Sequence, residues 1–190
     1  MVDANFVTGY DGKSQLGFAF FLNLNSGTIL ARSKKDTTVS LASTESEIKA
    51  IEQACIDATW LRGFLQDVGF MQLGPTVLYT DSASSIIMSE SNNNSSRTGH
   101  IANKISFINQ CIEDGSIKFK FVNSEENVAD ALTKLLPKQK LAKFRQTLHH
   151  GHAGIAPPSL SRTEYKQTKA KEKRQKRKGG FGSSKEDSRK

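Results

Sequence analysis

Residues 39–81 constrain the fold more than any other stretch. They read VSLASTESEIKAIEQACIDATWLRGFLQDVGFMQLGPTVLYTD. Ile48, Ile51, Ala54, Cys55, Ala58, Leu61, Leu65 and Val68 recur at spacings of three and four, which predicts one long amphipathic helix. Gly69 fits its C-terminal end, and Gly74-Pro75 closes the connection. Thr76 to Thr80 is then an apolar strand that ends on Asp81. Glu47 falls on the first turn of the helix and Asp81 at the tip of the strand. Two carboxylates on different elements converge only in a fold that gathers them, as α/β sheets do at the carboxyl ends of their strands.

The flanking sequence supplies the rest of such a sheet. Met1-Val2-Asp3 looks like the end of a strand, and residues 8–15 are turn-rich. Residues 17–24 (GFAFFLNL) form a buried strand, residues 25–27 a tight turn, and residues 28–33 the returning strand of a hairpin. A short alternating segment, residues 39–41, precedes the helix. Downstream, residues 82–88 predict a short helix capped by Asp81 or Ser82, and residues 89–98 a polar loop. Residues 100–112 predict a further helix. Ile117, Phe119 and Phe121 alternate with lysines in a half-exposed strand. Short helices are expected over residues 126–134 and 141–148. The order is mixed α/β with a hairpin-led sheet.

Charge divides the chain. The net charge is +8, and residues 161–190 carry twelve Lys/Arg against four Asp/Glu, so the rest is neutral. A basic tail is therefore expected, but not a body-wide field for nucleic acid. Residues from about 149 onward lack apolar periodicity and are expected to be disordered. The histidines at 149, 150 and 152 are expected to be a surface tract rather than a metal site. Cys55 and Cys111 lie inside apolar helical patterns and are expected to be buried thiols. No apolar run approaches the roughly 20 residues of a membrane helix. The N-terminal residues lack signal-peptide features, which predicts a soluble intracellular protein.

Asp3, Glu47, Asp81 and Asp130 occupy element ends. Hard divalent cations take oxygen ligands, and a pair of them can clamp both oxygens of a phosphodiester displacement. Each residue also has an ordinary reading. Glu47 completes a capping box with Thr44, Asp81 is an N-cap, Asp130 a solvated helix residue and Asp3 a frayed end.

The motifs VSLASTESEIKAI, TWLRGFL, VLYTDSASSI, RTGHI and ENVADALTKLLP, with MVDANF, DGKSQLGFAFFLN and RSKK upstream, resemble the ribonuclease H domain of copia-type LTR retrotransposon Pol polyproteins. The resemblance covers about residues 1–148. It implies a ribonuclease H-like α/β fold: a five-stranded mixed sheet, its first three strands antiparallel, flanked by helices. It also implies that Asp3, Glu47, Asp81 and Asp130 ligate two Mg²⁺ ions, with Mn²⁺ an alternative, and carry the catalysis. Glu45 is the rival of Glu47, and Asp11 the lower-ranked rival of Asp3. The implied reaction is hydrolysis of the RNA strand of an RNA·DNA hybrid, alongside the reverse transcriptase of the parent polyprotein.

The sequence departs from that pattern in places. Only two residues precede Asp3, which makes the first strand look truncated. Gly99 replaces a usual Lys, Ala102-Asn103 replace an acidic and an apolar residue, and Leu135 replaces a Pro. Residues 121–127 (FVNSEEN) lack the His that many relatives carry. Arg97, His100 and Lys104 are candidate substrate contacts. The run at 169–178, with Lys173, Arg174, Lys176, Arg177 and Lys178, resembles a phosphate-binding arm or a signal for a nuclear import receptor. The expected place of action is the nucleus or a cytoplasmic retrotransposon particle. The competing readings are a catalytically inactive remnant that binds nucleic acid through its tail, and a fragment that folds poorly.

Overall fold

A computed structural model describes residues 1–6, 10–23, 25–90 and 101–151, with residues 87–90 as backbone only. Three strands open the chain: β1 (Val2–Asn5), β2 (Lys13–Phe21) and β3 (Thr28–Val39). They pair antiparallel in the order β1-β2-β3. The long helix α1 (Ser43–Asp67) leads to β4 (Thr76–Thr80) and the short α2 (Ala83–Glu90). Then come α3 (Ala102–Glu113), β5 (Ile117–Phe121), the single turn α4 (Asp130–Thr133) and α5 (Lys138–His150).

β4 and β5 pair in parallel, so the five strands form one antiparallel set of three and one parallel set of two. β1 lies beside β4, but no continuous ladder joins them. A side chain spans this seam: Asn127 Nδ2 donates to the Val2 carbonyl at 3.0 Å and to Asp81 Oδ1 at 3.1 Å. The backbone acceptor that a ladder partner would satisfy is satisfied by an amide instead.

Strand alternation sorts the two faces. Val2, Ala4, Leu16, Phe18, Phe20, Leu78, Ile117 and Phe119 join the core built with Ile48, Ile51, Ala54 and Cys55 of α1 and Ile105 and Ile108 of α3. Met1, Phe21 and Tyr79 pack with Val128, Ala129 and Phe144 in a smaller cluster under α4 and α5. Asp3 sits between Val2 and Ala4, so its side chain leaves the opposite face from theirs, toward α4. Cys55 and Cys111 are buried free thiols, as expected.

Three local expectations change. β3 continues through KKDTTV, where a break is expected at Ser33, because pairing with β2 carries a polar strand that has no apolar alternation of its own. The helix expected over 126–134 shrinks to Asp130–Thr133. On α1 the stripe is buried only as far as Ala58. Val68 is exposed, and Trp60 stacks on Phe64 at 5.7 Å on the outer surface.

Candidate metal centre

The register of β1 and β2 sets the first carboxylate in place. Asp3 pairs with Gly17 across the ladder. A Cβ at Gly17 would stand 2.6 Å from Thr133 Cγ2 and 2.9 Å from Leu132 Cβ. A bare backbone at this position therefore lets α4 close onto the sheet, which brings Asp130 to Asp3. Thr133 completes the contact: its hydroxyl donates to Asp3 Oδ2. Asp3 is 1 % exposed and Asp130 3 %, so neither is a frayed or solvated residue.

Asp81 arrives from the tip of β4. It caps no helix. Ser82 does so instead, its hydroxyl receiving the Ser85 N–H at 3.4 Å. Asp81 is held by Ser124, whose hydroxyl donates to Oδ2 at 2.5 Å, and by Asn127 at Oδ1. One carboxylate oxygen each from Asp3, Asp81 and Asp130 lie within 4.8 Å of one another.

Glu47 lies outside that group of three oxygens but feels it. Burial, then the Asp3 and Asp81 carboxylates, push its pKa up to about 9, against the opposing pull of Lys134 and the Ala4 N–H. Its Oε2 is buried without a hydrogen-bond partner. The capping box expected of Thr44 and Glu47 does not form, and Ala42 occupies the N-cap position. Glu45 reaches back instead, accepting the Leu41 N–H at 2.7 Å and pairing with Lys49 at 3.0 Å. Glu45 is thereby committed to the helix start, and Glu47, two residues on, faces the other acids. Asp11, the rival of Asp3, is on the surface with Lys35 at 2.8 Å.

Two lysines stand against this charge. Lys134 Nζ lies 3.0 Å from Asp3 Oδ1 and 2.7 Å from Asp130 Oδ1; Lys140 Nζ lies 3.2 Å from Asp130 Oδ2. Burial disfavours the Lys134 charge, but hydrogen bonding to Asp130 and the field of Asp3 outweigh it and hold its pKa above the ordinary lysine value. Burial also raises the Asp3 pKa, with Thr133 and Lys134 pulling the other way. Two carboxylates about 4 Å apart repel by about 4 kcal/mol at an effective dielectric near 20. Four acids at one seam therefore call for cationic charge. The donors are hard oxygens on rigid elements, and one of them is an orphaned buried atom. That set suits a small divalent cation.

Of the other candidates, Lys104 pairs with Glu52 of α1 at 2.5 Å and takes no part in the acidic cluster. Arg97, His100, Lys173, Arg174, Lys176, Arg177 and Lys178 lie outside the described residues. Sequence reasoning missed Gly17, Ser124, Asn127, Thr133 and Lys134 as parts of the site. Asn127, Thr133 and Lys134 lie inside the motif that singled out Asp130, and that proximity was the available signal.

Comparisons with known proteins agree with the fold. The chain is 35% identical over 128 residues to the retrovirus-related Pol polyprotein from transposon TNT 1-94 of Nicotiana tabacum, covering 67% of the chain and 9% of the relative. The chain is related to the Pol polyproteins of copia-type retrotransposons. Those of transposons RE2 and RE1 of Arabidopsis thaliana match at 27% and 28% identity, over 61% and 59% of the chain and 8% of each relative. The chain thus spans less than a tenth of the length of these polyproteins. Among solved structures, LC11-RNase H1, isolated from compost by a metagenomic approach, superposes with a TM-score of 0.54 at 16% identity, covering 75% of this chain and 93% of that one. The fold is ribonuclease H-like. No protein-family model matches the chain. No helix among the described residues is long and apolar enough to cross a membrane.

Proposed function

We propose that the chain is a metal-dependent endonuclease that hydrolyses the RNA strand of RNA·DNA hybrids, as the ribonuclease H part of a retrotransposon Pol polyprotein. The observation that carries this reading is the convergence of Asp3, Asp81 and Asp130 oxygens within 4.8 Å, from three separate elements. Glu47, with its unpartnered buried oxygen, supplies the fourth carboxylate. Asp3, Glu47, Asp81 and Asp130 would hold two Mg²⁺ ions, or Mn²⁺ in their place, which would supply activation of a water and stabilisation of the leaving 3′-oxygen.

The chain's own residues divide the remaining work. Asp3 and Asp130 are the buried anchors, and the Thr133 hydroxyl fixes the orientation of Asp3. Asp81 is the more exposed acid and faces the substrate side, held by Ser124 and Asn127. Choice of the RNA strand rests on 2′-hydroxyl contacts rather than base sequence. The partners are the hybrid and the reverse transcriptase of the parent polyprotein. In this reading residues 1–148 form the nuclease and residues 149–190 a basic tail. That tail takes up phosphates or a nuclear import receptor, for action in the nucleus or a cytoplasmic particle.

The test is cleavage of a labelled RNA·DNA hybrid with Mg²⁺. The expected result is RNA-strand cleavage by the wild type, abolished in Asp81→Asn with an unchanged circular dichroism spectrum. A folded wild type that does not cut overturns the proposal. If hybrid binding then survives Asp81→Asn and disappears on deletion of residues 161–190, the inactive, tail-binding reading takes its place.

A further inference from the structure

Lys134 stands out because its ammonium lies between two of the candidate metal ligands. Its ammonium bridges one oxygen of Asp3 and one of Asp130, at 3.0 and 2.7 Å. These are the two most buried acids of the cluster. A cation ligated through these same two oxygens would need the gap that this ammonium fills, because Mg²⁺–oxygen distances are about 2.0–2.1 Å. Lys140 differs: it touches Asp130 only at the other oxygen, Oδ2, and also reaches Glu125 at 3.4 Å and the Ser124 carbonyl at 3.3 Å. Asp81 has neutral partners, Ser124 and Asn127. Among the described residues, Asp3 forms its ion pair with Lys134.

We infer that Lys134 is a tethered counter-cation which a divalent metal must displace from Asp3 and Asp130, so that this lysine sets the metal affinity of the site. The inference rests on the cluster being a metal centre. The sequence provides for both states. Lys134 is the residue directly after α4, in extended conformation, on a side chain one-third exposed. It also lines an open cavity of about 480 Å³ together with Asn5, Gln15, Ser33, Thr133 and Leu135. The released ammonium therefore has somewhere to go without any movement of the backbone that carries Asp130. A four-carbon stem with a single compact charge suits such a swing better than a planar guanidinium would. Lys134 is on this account a positioning residue: it holds the acids together until the metal replaces it.

The experiment measures binding of Mn²⁺ alone, as loss of the free-ion EPR signal, to the full chain. Wild type, Lys134→Met and Lys140→Met are compared. Lys134→Met is expected to bind at least about tenfold tighter, the worth of one competing charge-assisted hydrogen bond. Lys140→Met is expected to stay close to wild type. If Lys134→Met binds equally or more weakly, or if Lys140→Met gains as much, the inference is overturned while the metal centre stands. If wild type and both variants bind no Mn²⁺, the metal-centre reading fails and the inference with it. Should Lys134→Met not fold, the wild type decides by NMR of its lysine ammonium groups. The Lys134 signal is expected to be slowed in exchange without metal and lost on adding Mg²⁺. Its persistence at saturating Mg²⁺ overturns the inference.

Discussion

Lys49 and Lys134 each bridge a pair of carboxylates, and they serve opposite ends. Lys49 on α1 meets Asp36 of β3 and Glu45, both at 3.0 Å, and donates to Thr38 and Ser40 at 2.9 and 3.0 Å. Lys134 meets Asp3 and Asp130 at similar distances. Around Lys49, two acids face a cation that is only 8% exposed and has its donor capacity filled by four partners. Around Lys134 there are also Asp81 and Glu47, and Glu47 keeps a buried oxygen with nothing to bond. The Lys49 cluster, whose one orphaned oxygen, Asp36 Oδ2, still has the ammonium 3.0 Å away, holds α1 to the end of β3. An over-acidic cluster is held short of its charge balance, and that shortfall is what a metal site requires. Counting lysine–carboxylate contacts cannot separate them; counting the acids left over can.

The largest effect that tests this contrast is on activity. Asp81→Asn should reduce hybrid cleavage beyond the roughly 10–100-fold that losing an outer partner of a metal ligand costs. Lys49→Met should leave metal binding unchanged yet destabilise the fold by about 3–5 kcal/mol in urea unfolding, because it strands two buried carboxylates. If Lys49→Met instead weakens Mn²⁺ binding as strongly as Asp81→Asn, the two clusters are not independent and the contrast fails.

Gly17→Ala comes next and bears on how the over-acidic cluster is assembled. Its methyl would meet Thr133 and Leu132 below normal contact distance, so α4 must lift. The expected cost is about 1–3 kcal/mol of stability, with a drop in cleavage larger than that of a distant variant of equal stability. Intact cleavage in a destabilised Gly17→Ala would show that Asp130 does not depend on the close approach of α4 to β2.

How much of this was legible beforehand differs between the elements. The amphipathic stripe of α1 and the apolar alternation of β5 report burial directly, so they were readable from residue spacing. β3 was half-readable, since residues 34–38 are polar and the strand is carried on by the pairing of Lys34, Lys35 and Val39 with β2. The four acids could be picked out only through their motifs, because singly each fits a cap or a surface position. The sequence favours Glu47 over Glu45, and the helix start adds the physical reason: Glu45 turns back to Leu41, while Glu47, two residues on, feels the charge of Asp3. Lys134 was in plain sight in ALTK, but its role depends on Asp3, 131 residues away, and on a register no local pattern encodes.

The smallest effect separates the clusters by pH in the absence of metal. Glu47 carries a folded pKa of about 9 against an ordinary value of 4.5. Between those values the folded chain keeps a proton on Glu47 that the unfolded chain has lost. The unfolded state therefore binds fewer protons, and stability falls as pH rises through this window. The slope from this group is at most about 1.4 kcal/mol per pH unit. Glu47→Gln removes the titration, so its unfolding free energy should change less between pH 5.5 and 8.5 than that of the wild type, and it should be the more stable of the two at pH 8.5. Saturating Mn²⁺ should abolish the difference in slope, because a bound cation favours the carboxylate and releases the proton on binding. A wild type whose metal-free stability is as flat as that of Glu47→Gln would mean that Glu47 is already ionised. Its carboxylate would then have found a partner, and the acidic cluster would be as saturated as the one around Lys49.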